Sequence, residues 1–227
     1  MKVGVLFSGG KDSCYAAWIA KQQGHKIACL IAIFSQNPES YMFHTPNIRI
    51  TGLQAKSIGL PLMIKQTKGE KEKELVDLKR AIEEAKEKYK IQGIVTGAVA
   101  SNYQASRIKK ICQELELECI NPLWGKDQIE LLNDIIKAKF RVIISGVFAY
   151  PLDEKWLGKE IDKEIIKKLS ELQKKWQINP AGEGGEIETT VLDAPFFRKK
   201  VKITDSEIRY KNGSGIFLIK KAELVEK

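Results

Sequence analysis

Apolar residues first gather in the run Val3, Val5, Leu6 and Phe7 and then recur at helical spacing as Tyr15, Ala16, Trp18, Ile19 and Ala20. That pattern predicts a short buried strand running into a helix. Ile27 to Phe34 and Leu60 to Ile64 read as two further strands, with a short helix over Ile48 to Ser57 between them. From Glu70 to Lys90, Leu75, Leu78, Ile82, Ala85 and Tyr89 stand three or four apart on a charged background, the mark of an amphipathic surface helix. Gly93 to Thr96 is a buried strand, Ala105, Ile108, Ile111, Cys112 and Leu115 a helix, and Glu118 to Ile120 a fifth strand. Such alternation predicts a parallel, doubly wound sheet of Rossmann-like α/β class.

The alternation stops near Asn121-Pro122-Leu123-Trp124-Gly125, which predicts one domain over 1–123 and a smaller α+β domain over 124–227. In the second part Ile129, Leu132 and Ile135 form a helix stripe and Val142 to Phe148 a buried strand. Ile161, Ile165, Leu169, Leu172 and Trp176 mark a longer amphipathic helix. Beyond Thr189 the pattern predicts short strands broken at Asp193-Ala194-Pro195, Asp205-Ser206 and Lys211-Asn212-Gly213. In open parallel sheets the ligand lies beyond the carboxyl ends of the strands, which would bring 8–13, 34–47 and 97–104 to one site.

Composition narrows the picture. The chain has 227 residues, 43% hydrophobic and 30% charged, and its longest apolar runs are far short of a membrane span. A folded, cytoplasmic protein is expected, with no membrane partner. Thirty-two lysines beside six arginines give much of the +9 net charge and resemble the lysine and glutamate enrichment of hyperthermophiles. Lysines interleaved with glutamates between Lys68 and Lys90 read as a solvated helix face, although a basic surface also suits RNA or an acidic protein. Cys14, Cys29, Cys112 and Cys119 form no Cys-x-x-Cys pair and the histidines are only His25 and His44, so no zinc site is expected. Cys112 and Cys119 read as small buried hydrophobes, with a disulfide between them left open.

Candidate chemistry begins at Ser8-Gly9-Gly10-Lys11-Asp12-Ser13, between the first strand and the first helix. Two glycines let successive N–H groups converge on an anion at a helix N-terminus, where the macrodipole also favours negative charge. Lys11 adds a cation, and Ser8 and Ser13 add hydroxyls. Asp12 would repel a bare phosphate, so it predicts a bound Mg2+ ion that it helps to hold. The bland alternative is a glycine turn with no ligand. A P-loop does not fit, because Gly10 stands where its lysine belongs. The stretch resembles the PP-loop of the ATP pyrophosphatases, Ser-Gly-Gly-x-Asp-Ser, at all five fixed positions. That resemblance implies ATP as cosubstrate, cleavage between the α and β phosphates, a nucleotide site built from Ser8 to Ser13 with Gly97, and catalytic roles for Lys11 and Asp12.

The second concentration is Gly182-Glu183-Gly184-Gly185-Glu186-Ile187-Glu188-Thr189. If a strand begins at Glu186, then Glu186 and Glu188 share one face, while Glu183 sits on the glycine turn. Paired carboxylates can bind a cation, orient ammonia or accept a proton; the alternative is an acidic surface turn. Glu183-Gly-Gly-Glu-x-Glu-Thr followed by Val191-Leu192-Asp193-Ala194-Pro195-Phe196-Phe197 resembles the signature of the diphthine-ammonia ligases. So do Phe43-His44-Thr45-Pro46-Asn47, the stretch from Gly97 through Tyr103-Gln104-x-x-Arg107, and Pro122-Leu123-Trp124. One departure is Ile187, where the family usually has an aromatic residue.

That resemblance implies amidation of diphthine on elongation factor 2 by free ammonium, through an acyl-adenylate, with release of AMP and pyrophosphate. It implies substrate contacts from His44, Asn47, Tyr103, Gln104, Arg107, Glu183, Gly184, Gly185, Glu186, Glu188 and Thr189, with Glu186 and Glu188 as base or ammonium trap. It also suggests a minimal, archaeal member without the further C-terminal domains of eukaryotic ones. A tRNA-modifying PP-loop enzyme and a non-catalytic ATP-sensing module are the rival readings, and a homodimer is left open.

Overall fold

A computed structural model describes residues 1–37, 47–70 and 72–227. The chain begins with β1 (Lys2–Leu6), α1 (Lys11–Gln22) and β2 (Lys26–Ser35). A 3-10 turn at Ile48–Ile50 leads into α2 (Thr51–Ile58), and β3 (Leu62–Thr67), α3 (Lys73–Tyr89), β4 (Gly93–Val95), α4 (Asn102–Glu114) and β5 (Glu118–Ile120) follow. The five strands form one parallel sheet in the order β3-β2-β1-β4-β5. The chain thus starts at the centre, builds toward one edge, and returns to build toward the other. The reversal lies between β1 and β4, so the connections leaving those two strands diverge and open a crevice at their carboxyl ends.

Each face is covered for a reason visible in the pattern. On one side Leu78, Ala81, Ile82 and Ala85 of α3 and Ile108, Ile111 and Cys112 of α4 pack against Ile31, Ile33 and Ile94. On the other, α1 is buried on two sides: Cys14, Ala16, Ala17 and Ala20 are all inaccessible, and their small side chains let two layers approach the helix.

The second layer is an antiparallel sheet in the order β7-β6-β9-β8, made from β6 (Arg141–Val147), β7 (Ile187–Asp193), β8 (Lys200–Lys211) and β9 (Ser214–Val225). Helices α5 (Gln128–Lys137) and α6 (Lys163–Trp176) precede and follow β6. Asp127 and Asp162 cap them, accepting from Ile129 and Glu130 N–H and from Ile165 N–H respectively, which is why α6 starts after Ile161 rather than at it. The break expected at Asp205-Ser206 does not occur. β8 runs through it with register shifts on either side of Asp205, because a bulge absorbs an extra residue without ending the ladder. Asn212 and Gly213, both at positive φ, close the hairpin as the two-residue turn that this pair favours.

A single core joins the layers. Val5, Phe7, Tyr15 and Leu30 from the first half cluster with Leu131, Leu132, Ile135, Phe140, Val142 and Phe196 from the second. Trp18 stacks on Phe196 with ring centroids 6.0 Å apart, and Tyr15 meets Phe140 edge-on at 5.5 Å. All four cysteines are free thiols. Among the described residues no helix is long and apolar enough to cross a membrane.

Because Leu132 is fully buried in the shared core, Leu132→Ala should cost about 2–5 kcal/mol. Its urea unfolding should remain one transition, coincident by tryptophan fluorescence and far-ultraviolet circular dichroism. Two separated transitions would mean that the halves fold as independent units.

Candidate active site

A cavity of about 500 Å³ opens at the carboxyl ends of β1 and β4. Its floor is the turn from β1 into α1, with Ser8, Gly10, Lys11, Asp12 and Ser13; one wall is Thr96, Gly97, Ala98, Ser101 and Gln104; the other is Ala181 to Gly185 with Glu188 and Thr189. Both halves of the chain therefore contribute to one site.

The turn is shaped by backbone contacts. Gly9 has φ +79 and Gly10 is the N-cap of α1 with no capping side chain, so the helix N-terminus stays open toward the cavity. Ser13 Oγ donates to the Gly10 carbonyl at 3.2 Å, and the Ser8 and Ser13 hydroxyls lie 3.2 Å apart. Gly97 must be glycine for a different reason. A Cβ there would come within 2.8 Å of the Ser13 nitrogen, so the β4–α4 loop could not approach the helix N-terminus.

The free edge of β7 docks on this turn. Val191 N–H donates to the Gly9 carbonyl at 3.0 Å, and Lys11 N–H donates to Thr189 Oγ1 at 3.1 Å. Gln54, fully buried in α2, donates from Nε2 to the carbonyls of Gly9 (2.9 Å) and Val191 (2.8 Å). No pattern in the sequence marks Gln54, whose hydrogen-bond partners come from two distant segments.

Lys11 is buried, donating to Asp12 Oδ2 at 2.7 Å and to the Ala181 carbonyl. Two acidic groups stand around this pair. Glu183 accepts from Ala100 N–H at 2.9 Å, and its carboxyl is pushed above the usual range, first by burial and then by Asp12. Glu188 is pushed up further, to about 8; burial is the main cause, Lys11 opposes it and Asp12 adds to it. Near neutral pH Glu188 is therefore largely a neutral acid poised to exchange a proton.

Glu186 does something else. β7 begins at Ile187, so Glu186 lies in the turn and does not share the face of Glu188 as the spacing suggests. Its carboxylate collects Asn179 N–H at 3.1 Å, Asn179 Nδ2 at 2.7 Å and Gly184 N–H at 2.9 Å, and it does not line the cavity. Gln128 extends the brace, accepting from Ala181 N–H and donating to Asn179 Oδ1. Gly184 is held so tightly that a Cβ would meet Glu186 Oε1 at 2.7 Å.

The remaining sequence candidates divide. Gln104, Gly184, Gly185 and Thr189 line the cavity. Tyr103 and Arg107 do not: Tyr103 OH donates to Glu72 Oε1 at 3.0 Å, Arg107 Nη2 to the same oxygen at 2.6 Å, and the guanidinium stacks 3.5 Å from the Tyr103 ring. Arg107 lies one helical turn beyond Tyr103, so both share a face of α4 turned toward α3 rather than toward β1. Asn47 is also engaged elsewhere, donating to the Phe217 carbonyl at 2.8 Å and accepting from Ile219 N–H at 2.7 Å, which ties it to β9. His44 lies outside the described residues.

Asp12 Oδ1 is buried with no hydrogen-bond partner, the one observation here that fits a divalent cation. Among the described residues no group of three or more acidic, cysteine or histidine side chains could hold a metal. Asp12 is the residue that would hold a Mg2+ ion, which would supply positive charge to an anionic ligand there.

The folded-state shift of Glu188 also fixes a pH dependence. Below the ordinary value of 4.5 the group is protonated in both folded and unfolded chains and costs nothing; between 4.5 and about 8 only the unfolded chain ionises, so folding loses stability as pH rises. Glu188→Gln should therefore gain melting temperature over the parent protein progressively across that interval, with a constant gap above it. A gap independent of pH would show that the Glu188 carboxyl is not shifted.

Family profiles for the Diphthamide synthase N-terminal domain and the Diphthamide synthase C-terminal domain match residues 1–119 and 127–225. The diphthine–ammonia ligase of Bos taurus is 35% identical over 227 residues, covering 92% of this chain and 85% of its own. That of Schizosaccharomyces pombe is 34% identical over 244 residues, spanning all of this chain and 40% of its own. Among solved structures, a "predicted subunit of tRNA methyltransferase" from Methanocaldococcus jannaschii aligns with 86% of this chain and 98% of its own, at 19% identity and a TM-score of 0.44. With both family domains present in order and the Bos taurus relative matched over 85% of its own length, this chain belongs to the diphthamide synthase family, that of the diphthine–ammonia ligases.

Proposed function

We propose that this protein is an ATP-dependent amide ligase that converts diphthine on elongation factor 2 to diphthamide with ammonia, releasing AMP and pyrophosphate. The observation that carries the reading is the meeting, in one cavity, of an open helix N-terminus shaped for phosphate with Glu188, an acid–base group shifted to about 8. A nucleotide-sensing module would account for the first and leave the second without a task. A tRNA-modifying role gains no support from relatives that carry the ligase name.

The N-terminal part, 1–123, serves as the ATP domain and 124–227 as the substrate domain. A diphthine carboxylate oxygen attacks the α phosphorus of ATP, the bond to the bridging oxygen breaks, and pyrophosphate leaves toward Ser8 to Ser13, where N–H groups and the helix dipole take up its charge. Lys11, with two of its three donors used by Asp12 and Ala181, keeps the third for phosphate. Ammonia then attacks the acyl carbon and AMP departs. Glu188 accepts the proton released from nitrogen in its ionised form, a minority near neutral pH that grows as pH rises toward 8. Glu183, which lines the same cavity, is a second acceptor for the incoming ammonium, whereas Glu186 acts through the turn that it braces. The lysine-rich composition supports a heat-adapted form, and an archaeal, cytoplasmic protein stays part of this proposal.

With purified protein, ATP, Mg2+, ammonium and diphthine-bearing elongation factor 2, mass spectrometry should find the amide, and the nucleotide products should be AMP and pyrophosphate. ADP and phosphate would overturn the assignment. Glu188→Gln should lower amidation about a hundredfold to ten-thousandfold while ATP affinity changes little. Glu186→Ala, in contrast, should weaken ATP binding and amidation together, because the Ala181 carbonyl that holds Lys11 loses its support. Wild-type amidation by Glu188→Gln would remove that residue from the chemistry.

A further inference from the structure

Gln54 is fully buried, far in sequence from both motifs, and its amide is only half satisfied: Nε2 serves two carbonyls while Oε1 has no partner. Both neighbours of Nε2 are acceptors, which fixes the orientation of the amide. Leaving Oε1 unpaired in the interior is unfavourable, so packing alone is a poor reason for an amide at this position. Its contacts point to a task at the phosphate turn.

A trans peptide is planar, and its C=O and N–H point in opposite directions. The Gly9 carbonyl is drawn toward Gln54 Nε2 at 2.9 Å and Val191 N–H at 3.0 Å, away from the cavity. The N–H of Gly10, in the same peptide plane, must then face the cavity side. There it makes only a long 3.4 Å contact to Ser8 Oγ, one that an anion can displace. Gly9, at φ +79 and without a side chain, resists rotation of this peptide very little. Any Cβ at Gly9 would stand 2.3 Å from Gln54 Oε1, so this close approach of the glutamine requires the glycine.

We propose that Gln54 is a positioning residue of the nucleotide site, clamping the Gly9–Gly10 peptide so that the Gly10 N–H is presented to the departing pyrophosphate. The inference rests on the reading of Ser8 to Ser13 as the pyrophosphate-binding turn. Through Val191 the same amide locks β7, and with it Thr189 and Glu188, to that turn, so one side chain sets the register between the phosphate end and the acid–base end of the cavity.

The test is calorimetric titration of the full chain with inorganic pyrophosphate and, separately, with AMP. In Gln54→Leu, pyrophosphate affinity should fall about tenfold or more, as expected when buried carbonyls lose their donor and the peptide is free to turn, with AMP affinity unchanged. A general structural defect would lower both together. In Gln54→Glu, the carboxylate repels both carbonyls at pH 8, and protonation toward pH 5 restores an O–H donor, so pyrophosphate affinity relative to the parent protein should recover as pH falls. Equal pyrophosphate binding by folded Gln54→Leu, or a parallel loss of AMP, overturns the proposal. Should Gln54→Leu fail to fold, absence of the pH recovery in Gln54→Glu overturns it instead. If the parent protein itself binds no pyrophosphate, the reading of the turn fails, and the role of Gln54 with it.

Discussion

The docking of the β7 edge on the turn between β1 and α1 is the contact on which this structure depends. An edge strand presents unpaired N–H and C=O groups, and a turn at a helix N-terminus with no capping side chain needs some other source of rigidity. Each supplies what the other lacks. Val191 N–H and the Gly9 carbonyl pair directly, the Thr189 hydroxyl receives Lys11 N–H, and Gln54 closes the third side. Each such bond contributes only about 0.5–1.5 kcal/mol net, but a buried carbonyl left without its donor costs about 1–3 kcal/mol, so the set resists partial loss. The shared core beneath, with α1 between the two sheets, holds the edge in place.

Electrostatics follow from the same docking. Bringing β7 to the helix N-terminus places Glu188 and Glu183 around a lysine that Asp12 already neutralises. One cation cannot compensate three carboxylates in a partly enclosed space, so the group with the most burial and the least hydrogen bonding rises furthest. Glu183, steadied by Ala100 N–H, rises less than Glu188 for that reason. The open helix N-terminus and these raised carboxyls thus line different parts of one cavity.

The turn between Gly182 and Glu186 carries the remaining precision. Its glycines are set by close approach: Gly182 at φ +78 lies against the Ile187 carbonyl, and Gly184 against the Glu186 carboxylate. Glu186 therefore behaves as the knot of a loop, and the loop presents Glu183 and the Ala181 carbonyl. Its place in the motif reflects geometry as much as chemistry.

Local rules were enough for the strands and helices of the first half, since apolar period, glycine breaks and alternation are properties of neighbouring residues. The glycine turn after β1 and the acidic glycine loop were legible as loops for the same reason. Where their side chains point was not. Period-two spacing paired Glu186 with Glu188 because nothing local reveals that β7 starts one residue later, after Glu186 has been claimed by Asn179. Tyr103 and Arg107 share a motif with Gln104, but helix rotation sends the first two to Glu72 and only Gln104 to the cavity. Asp205-Ser206 is made of turn-favouring residues and is still a bulge, because pairing with β9 continues on both sides. Gln54 carried no signal at all. Its role exists only where α2, the first glycine turn and β7 meet, and contacts of such sequence separation are decided by the packing of the two sheets around α1, not by the residues on either side.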